Sequence, residues 1–274
     1  MKTLTWKDIK LKEHKKDAHK GDKGRVLIIG GSEEYIGCVV FAGLAALRSG
    51  CDVVTIAAPE KVAWAINALT PDLITKKLVG KYFTPKHYKD LLPLTEKADV
   101  ILIGNGLGKN RQTQQFVKKI ASFLVKKQKK MVIDADAFSF LRLQDVDHAI
   151  LTPHHQEFNR LLKNSKLTQK SFQKKMKENV LLLKGPRDFI YTKTKCVVNT
   201  TGDKRMTVAG TGDLLAGLCA GFVAQGNSLF ESACYAAFFS GKLGEAARKK
   251  REVHYLASDL LEDIIKVTNK RKGY

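Results

Sequence analysis

The chain has 274 residues, 44% of them hydrophobic and only 6 prolines, which excludes a disordered or fibrous protein and allows a sizeable core. Its formal net charge of +21 attracts nucleotides, nucleic acids and acidic membranes alike. The lysines, however, fall on apparent surface faces (FVKKIASFLVKKQKK, SFQKKMKEN, KRKGY) with no DNA-binding motif or aromatic interleaving, so no specific nucleic-acid partner and no membrane partner is expected.

In chain order, the N-terminal stretch MKTLTWKDIKLKEHKKDAHK carries no apolar signal core. Six apolar runs then predict strands: RVLIIGG from 25, DVVTIAAP from 52, DVILIGNGLG from 99, MVIDADAF from 131, AILTPH from 149 and VLLLKG from 180. Near-continuous apolar strands suit a parallel sheet covered on both faces. CVVFAGLAALRSG and RQTQQFVKKIASFLVKK read as amphipathic crossover helices, the first stopped by a glycine. After VLLLKGPRDFIYTKTKCVVNTTG the pattern turns to short strands joined by a turn, a local hairpin. Three helices follow, over about 209–225, 228–248 and 255–268. No linker or repeat divides the sequence, so one three-layer α/β/α domain over 1–274 with a mostly parallel central sheet is expected. The five cysteines (Cys38, Cys51, Cys196, Cys219, Cys234) are scattered without a CxxC pair, which argues against zinc and disulfide frameworks and for a reducing cytoplasm.

The polar and glycine-rich motifs gather at strand ends: Gly30-Gly31-Ser32, Gly104 to Gly108, Asp134-Ala135-Asp136, Thr152-Pro153-His154 and Lys184-Gly185. Ligands of open α/β sheets bind in the crevice outside the carboxyl ends of the strands. GNGLGKN lacks the P-loop spacing and GGSEEYIG lacks GxGxxG, so both of those nucleotide fingerprints are rejected. VAGTGDLLAGLCAGFVAQG places Asp213 where a buried helix begins, and the apolar run from Leu214 to Ala224 is shorter than the roughly 18–20 residues of a membrane span. A helix start exposes N–H groups that suit a phosphate, with Gly210 and Gly212 allowing close approach. Asp213 is then either a helix cap or a group in the chemistry.

Four further motifs each carry two readings. Thr152 reads as an N-cap with Pro153 at the first helical position, leaving His154 in the first turn, facing the crevice or decorating the surface. Asp134 and Asp136 share a strand face if the strand continues that far. The two would then hold Mg²⁺ through water or orient a ligand hydroxyl; alternatively Asp136 caps a helix starting at Ala137, which leaves Asp134 free for the functional role. Lys184 is either a point charge for a phosphate or the first solvated residue after its strand. Asn199, Thr201 and Gly202 precede the phosphate-cradle candidate.

The ordered set HKGDKGRVLIIGGSEEYIG, GNGLG, IDADAF, LTPHHQEF, LLLKG and NTTGDKRMTVAGTGDLLAGLCAGFVAQG resembles the ATP- or ADP-dependent NAD(P)H-hydrate dehydratases across about residues 15 to 250. The resemblance implies a ribokinase-like fold and a metabolite-repair lyase. Such an enzyme dehydrates the S form of NADHX or NADPHX to NADH or NADPH, with ADP or ATP as co-substrate and Mg²⁺ assisting. It implies Asp213 as general base, with the substrate touching Cys38, Gly106, His154 and Asp213. The nucleotide would lie along Lys184, Gly185, Pro186, Arg187 and Asp188, with Asn199, Gly210, Thr211 and Gly212. No direct protein ligand to the metal is implied. Cys38, Asn105, Ala209 and Asp188 stand where alanine, proline, glycine and threonine are common in the family. A homo-oligomer is expected, working with a separate epimerase, since the chain is too short to hold that domain as well. A small-molecule kinase of the same fold, acting on a vitamin precursor or sugar alcohol, is the alternative.

Overall fold

Alternation along the strands decides the architecture. Val26 and Ile28 pack into one buried cluster while Leu27 and Ile29 pack into another, and Val100/Leu102 and Ile101/Ile103 divide the same way. A sheet buried on both faces results. The computed structural model describes residues 1–12, 17, 19, 21–251 and 254–269. The basic run 270–274 and Lys20 of HKGDKG lie outside the described residues.

The strands are β1 (Lys2–Thr3), β2 (Arg25–Ile29), β3 (Val53–Pro59), β4 (Ile74–Leu78), β5 (Val100–Ile103), β6 (Lys130–Ile133), β7 (Ala149–Leu151), β8 (Val180–Leu183), β9 (Asp188–Tyr191) and β10 (Cys196–Asn199). Their order is β1-β10-β9-β8-β7-β6-β5-β2-β3-β4. The neighbours from β8 through to β4 are all parallel, whereas β9 runs antiparallel to both β8 and β10. The six predicted strands and the hairpin are all present. Two strands escaped the sequence: β1, of two residues, and β4, whose ITKKL carries lysines because it lies at a sheet edge.

The helices are α1 (Gly37–Arg48), α2 (Glu60–Leu69), α3 (Tyr88–Lys97), α4 (Arg111–Lys126), α5 (His155–Ser165), α6 (Thr211–Ala224), α7 (Leu229–Arg251) and α8 (Ala257–Asn269). Buried residues of α1, α2, α6, α7 and α8 join one apolar cluster, and those of α3, α4 and α5 join the other. The molecule therefore has three layers, helices on both faces of a mostly parallel sheet, as the sequence led us to expect. No helix among the described residues is long and apolar enough to cross a membrane.

From β2 the chain moves outward through β3 and β4, then returns to β5 and proceeds through β6, β7 and β8 on the other side. The order reverses between β2 and β5, which is where such sheets open a ligand crevice. All five strand-end motifs follow parallel strands, so they lie along one edge. Across the reversal, the Gly31 N–H donates to the Asn105 carbonyl at 2.8 Å.

α6 is pressed against α1 so closely that a Cβ on Gly217 would lie 2.1 Å from the Ala42 carbonyl oxygen. Backbone cannot yield as a side-chain tip can. Gly217→Ala is expected to cost about 3 kcal/mol, read as a lower urea midpoint with the slope unchanged. An unaltered midpoint would mean that α6 shifts freely on α1.

Candidate active site

Asp213 is the third residue of α6, which begins after Gly210 in a left-handed conformation with φ +95°. Thr211 closes the turn before the helix, its hydroxyl donating to the carbonyls of Met206 at 2.8 Å and Val208 at 2.9 Å. The Asp213 carboxylate reaches out of the helix rather than capping it: Oδ1 accepts from Asn105 Nδ2 at 2.6 Å. Burial, reinforced by the nearby Asp134 charge, pushes its carboxyl up to about 6, against the opposing pull of Asn105 and Lys184.

Asp134 is the hub. It is 2% exposed, and Oδ1 accepts from Thr152 Oγ1 at 2.8 Å and Lys184 Nζ at 3.0 Å while Oδ2 accepts from Asn105 Nδ2 at 2.9 Å. β6 stops at Ile133 and Ala135 takes φ +49°, so the two aspartates do not share a strand face. A 3-10 turn over Ala135–Ser139 begins instead, with Asp134 at its N-cap position. Asp136 is not a cap for a helix at Ala137; it accepts from the Gly108 N–H at 3.0 Å and braces the glycine loop.

Lys184 is not solvated. Its side chain is 19% exposed and lies 3.0 Å from Asp134 and 3.9 Å from Glu157. Burial works against its charge, but the two carboxylates outweigh it and hold its pKa above the usual lysine range. A Cβ on Gly212 would sit 3.5 Å from Nζ, so the start of α6 and the end of β8 face one another.

His154 is the N-cap of α5, correcting the assignment of that role to Thr152. Its Nδ1 accepts from the N–H groups of Gln156 at 3.1 Å and Glu157 at 3.4 Å. The helix starts late because sheet pairing continues past the proline: Lys184 N–H donates to the Pro153 carbonyl at 2.9 Å, and His154 bridges Lys184 in parallel. Thr152 is thereby left extended, its hydroxyl turned inward to Asp134. Nε2 of His154 is 3.5 Å from Glu157 Oε1, and the ring is half exposed toward solvent. Burial and the Lys184 charge lower its pKa, so the ring is neutral at pH 7.

Cys38 and Gly106 are also brought together. Gly106 has φ +65°, and a Cβ there would meet Cys38 Sγ at 2.4 Å, so the glycine loop seats on the first turn of α1. The Asp213 charge adds to burial in raising the Cys38 thiol, which stays protonated. Gly185, Pro186 and Arg187 form an exposed turn between β8 and β9. Asp188 closes that turn, accepting from the Gly185 N–H at 3.2 Å and Asn199 Nδ2 at 3.1 Å, and burial raises its pKa. Asn199 is fully buried and spends its amide inside the protein, also donating to the Ala237 carbonyl at 3.0 Å. The result is one unbroken polar line, His154–Glu157–Lys184–Asp134–Asn105–Asp213, along the sheet edge.

The sequence profile of the NAD(P)H-hydrate dehydratases matches residues 26–266. The chain belongs to the NAD(P)H-hydrate dehydratase family. The ADP-dependent (S)-NAD(P)H-hydrate dehydratase of Cenarchaeum symbiosum is 36% identical over 258 residues, 90% of this chain and 89% of that protein. The bifunctional NAD(P)H-hydrate repair enzyme Nnr of Pyrobaculum aerophilum is 41% identical over 259 residues, 92% of this chain but 52% of that protein. The chain thus spans about half the length of the bifunctional relatives it matches. Among solved structures, the Bacillus subtilis ADP/ATP-dependent NAD(P)H-hydrate dehydratase, co-crystallised with ATP/Mg²⁺, superposes with a TM-score of 0.79 at 25% identity. That match covers 95% of this chain and 94% of that one. The hydroxyethylthiazole kinase of Pyrococcus horikoshii, at 15% identity and TM-score 0.63, shares the fold.

Two polar residues of this dehydratase-family site went unassigned in the sequence. Glu157 lies three positions after His154, the capping-box spacing, and its carboxylate accepts from the His154 N–H at 2.9 Å. Asn105 stood out in the sequence only as a departure from the proline common at that position of the glycine loop, with no role attached.

Proposed function

We propose that this chain dehydrates the S form of NADHX and NADPHX, using ADP or ATP, and so restores NADH and NADPH. The observation that carries the reading is the Asp213 carboxylate, raised toward neutrality, in a crevice it shares with a lysine and the N-terminus of α6. Asp213 takes the proton of the ring hydroxyl. The hydroxyl oxygen bonds to the terminal phosphorus, and the bond from that phosphorus to the rest of the nucleotide breaks, releasing AMP or ADP. The ring carbon–oxygen bond then breaks, phosphate leaves with the bonding pair, and a neighbouring ring carbon loses a proton to complete the double bond. Lys184 and the N–H groups around Gly212 orient the phosphates, His154 the substrate, and the loop at Gly106 with Cys38 walls the crevice.

The donors present do not fit a protein-held Mg²⁺. Asp134 Oδ1 already accepts from Thr152 and Lys184 and Oδ2 from Asn105, and no group of three or more His, Cys, Asp or Glu side chains among the described residues could hold a metal ion. In this reading Mg²⁺ travels on the nucleotide's phosphates and neutralises their charge. The five free cysteines suit a reducing cytoplasm. Epimerisation of the R form falls to another domain or protein.

Product analysis tests the reading against a kinase of the same fold. Free phosphate and reduced cofactor are expected in equal amounts; an accumulating phosphorylated substrate would favour the kinase. The pH profile is a further check. Because the base must be ionised, kcat/KM is expected to climb as pH rises through about 6 and then level off. A limb in the ordinary aspartate range would contradict the role given to Asp213.

A further inference from the structure

We propose that Asn105 is the positioning residue for the Asp213 carboxylate, its one amide tying Asp213 to Asp134 and through it to Lys184. The inference rests on the functional reading above for what the carboxylate does, but not for the geometry.

Asn105 leaves β5 at the point where the strand order reverses, and its backbone is fixed there by the Gly31 N–H. Its side chain is fully buried, and Nδ2 spends both hydrogens on carboxylates, Asp134 Oδ2 at 2.9 Å and Asp213 Oδ1 at 2.6 Å. The amide has one tenable orientation, because the reverse would press its oxygen against two carboxylate oxygens. That orientation leaves Oδ1 buried with no partner. A buried acceptor without a donor costs stability, so a side chain serving packing alone would be better replaced by an apolar one of the same shape. The two donors account for the amide at this position.

The carboxylates are otherwise driven apart. Asp213 faces Asp134 from the loop after β6, Lys184 from the end of β8 and the Cys38 thiol from α1, and the Asp136 charge also acts on that thiol. Asn105 donates to ionised Asp213 and so favours the form a base requires, opposing burial and the Asp134 charge. Lys184, Asp134, Asn105 and Asp213 form a continuous hydrogen-bonded line. The carboxylate therefore stands at a set distance from the lysine that faces the phosphates.

Asn105→Leu removes the donors while nearly keeping the shape, and Asn105→Ala removes both. Isotope-edited NMR of the aspartate carboxyl carbons, with Asp213 assigned by its loss in Asp213→Asn, reads the bridge without reference to activity. In both variants the Asp213 titration is expected to move up by about one pH unit, while ADP affinity, measured by calorimetry as proof of folding, stays within about threefold of wild type. kcat for the hydrate is expected to fall by about 10- to 100-fold, and the loss should not multiply with that of Asp213→Asn in the double variant. A variant that binds ADP yet leaves the Asp213 titration in place overturns the proposal. So does a kcat loss that multiplies fully with Asp213→Asn. Wild-type protein inert toward the hydrate would sink the functional reading instead, and the titration would still decide the bridge.

Discussion

Asp213→Asn is expected to lower turnover of the hydrated cofactor by about 10²-fold or more while nucleotide binding is retained. The asparagine oxygen can still accept the hydrogen bond from Asn105, so the geometry of the bridge survives; what is lost is the ability to take a proton. The same substitution should stabilise the fold. Asp213 has a folded pKa raised from 3.8 to about 6, so the folded state favours the protonated form. Its contribution is favourable below the unfolded value and is lost as pH rises through the folded one, leaving ionised Asp213 as a cost at neutral pH. Asparagine removes that cost, so Tm should rise by a few degrees at pH 8 and hardly at all at pH 3. Lower activity with higher stability is the signature of a strained catalytic carboxylate. Near-wild-type turnover would leave Asp213 a structural residue.

Lys184→Ala carries the other large effect, and it combines two losses. Asp134 would remain buried without its cation, which costs about 3–5 kcal/mol when one partner of a buried pair is removed. Nucleotide affinity should also fall at least about tenfold, because the charge facing the start of α6 is gone. Gly212→Val should block the same place sterically while leaving the Lys184–Asp134 pair intact, separating the two losses. His154→Ala is expected to act on the other half of the crevice, raising KM for the hydrate with nucleotide affinity nearly unchanged, alongside about 1 kcal/mol for the lost cap of α5. Calorimetry of each variant with ADP alone distinguishes them. Loss of ADP binding in His154→Ala with its retention in Lys184→Ala would reverse the assignment of the halves.

The sheet was legible because its strands are buried on both faces, which writes them as unbroken runs such as VLLL and VILI. β4 was not, since a strand at a sheet edge carries solvated residues such as Lys76 and Lys77 and loses that pattern. The crevice was legible for a topological reason: parallel strands put every following loop on one edge, so five motifs had to converge. The contacts within it were not. Asn105 meets partners 29 and 108 positions away, and nothing in the spacing of a glycine loop says which carboxylates will arrive. Thr-Pro before a helical pattern reads as a cap followed by a first turn. Here a backbone bond from Lys184 to the Pro153 carbonyl keeps the chain extended for two residues more and passes the cap to His154. Asp188, which the resemblance alone places beside the nucleotide, turns inward to Gly185 and Asn199 and shapes the turn rather than presenting its charge.

The most direct test is the return of reduced-nicotinamide absorbance when purified protein meets the S form of NADHX with ADP or ATP and Mg²⁺. Absorbance should rise only when nucleotide is present, with one phosphate released for each NADH formed. Recovery of NADH without nucleotide, or nucleotide consumption with no recovery of NADH, would contradict the account.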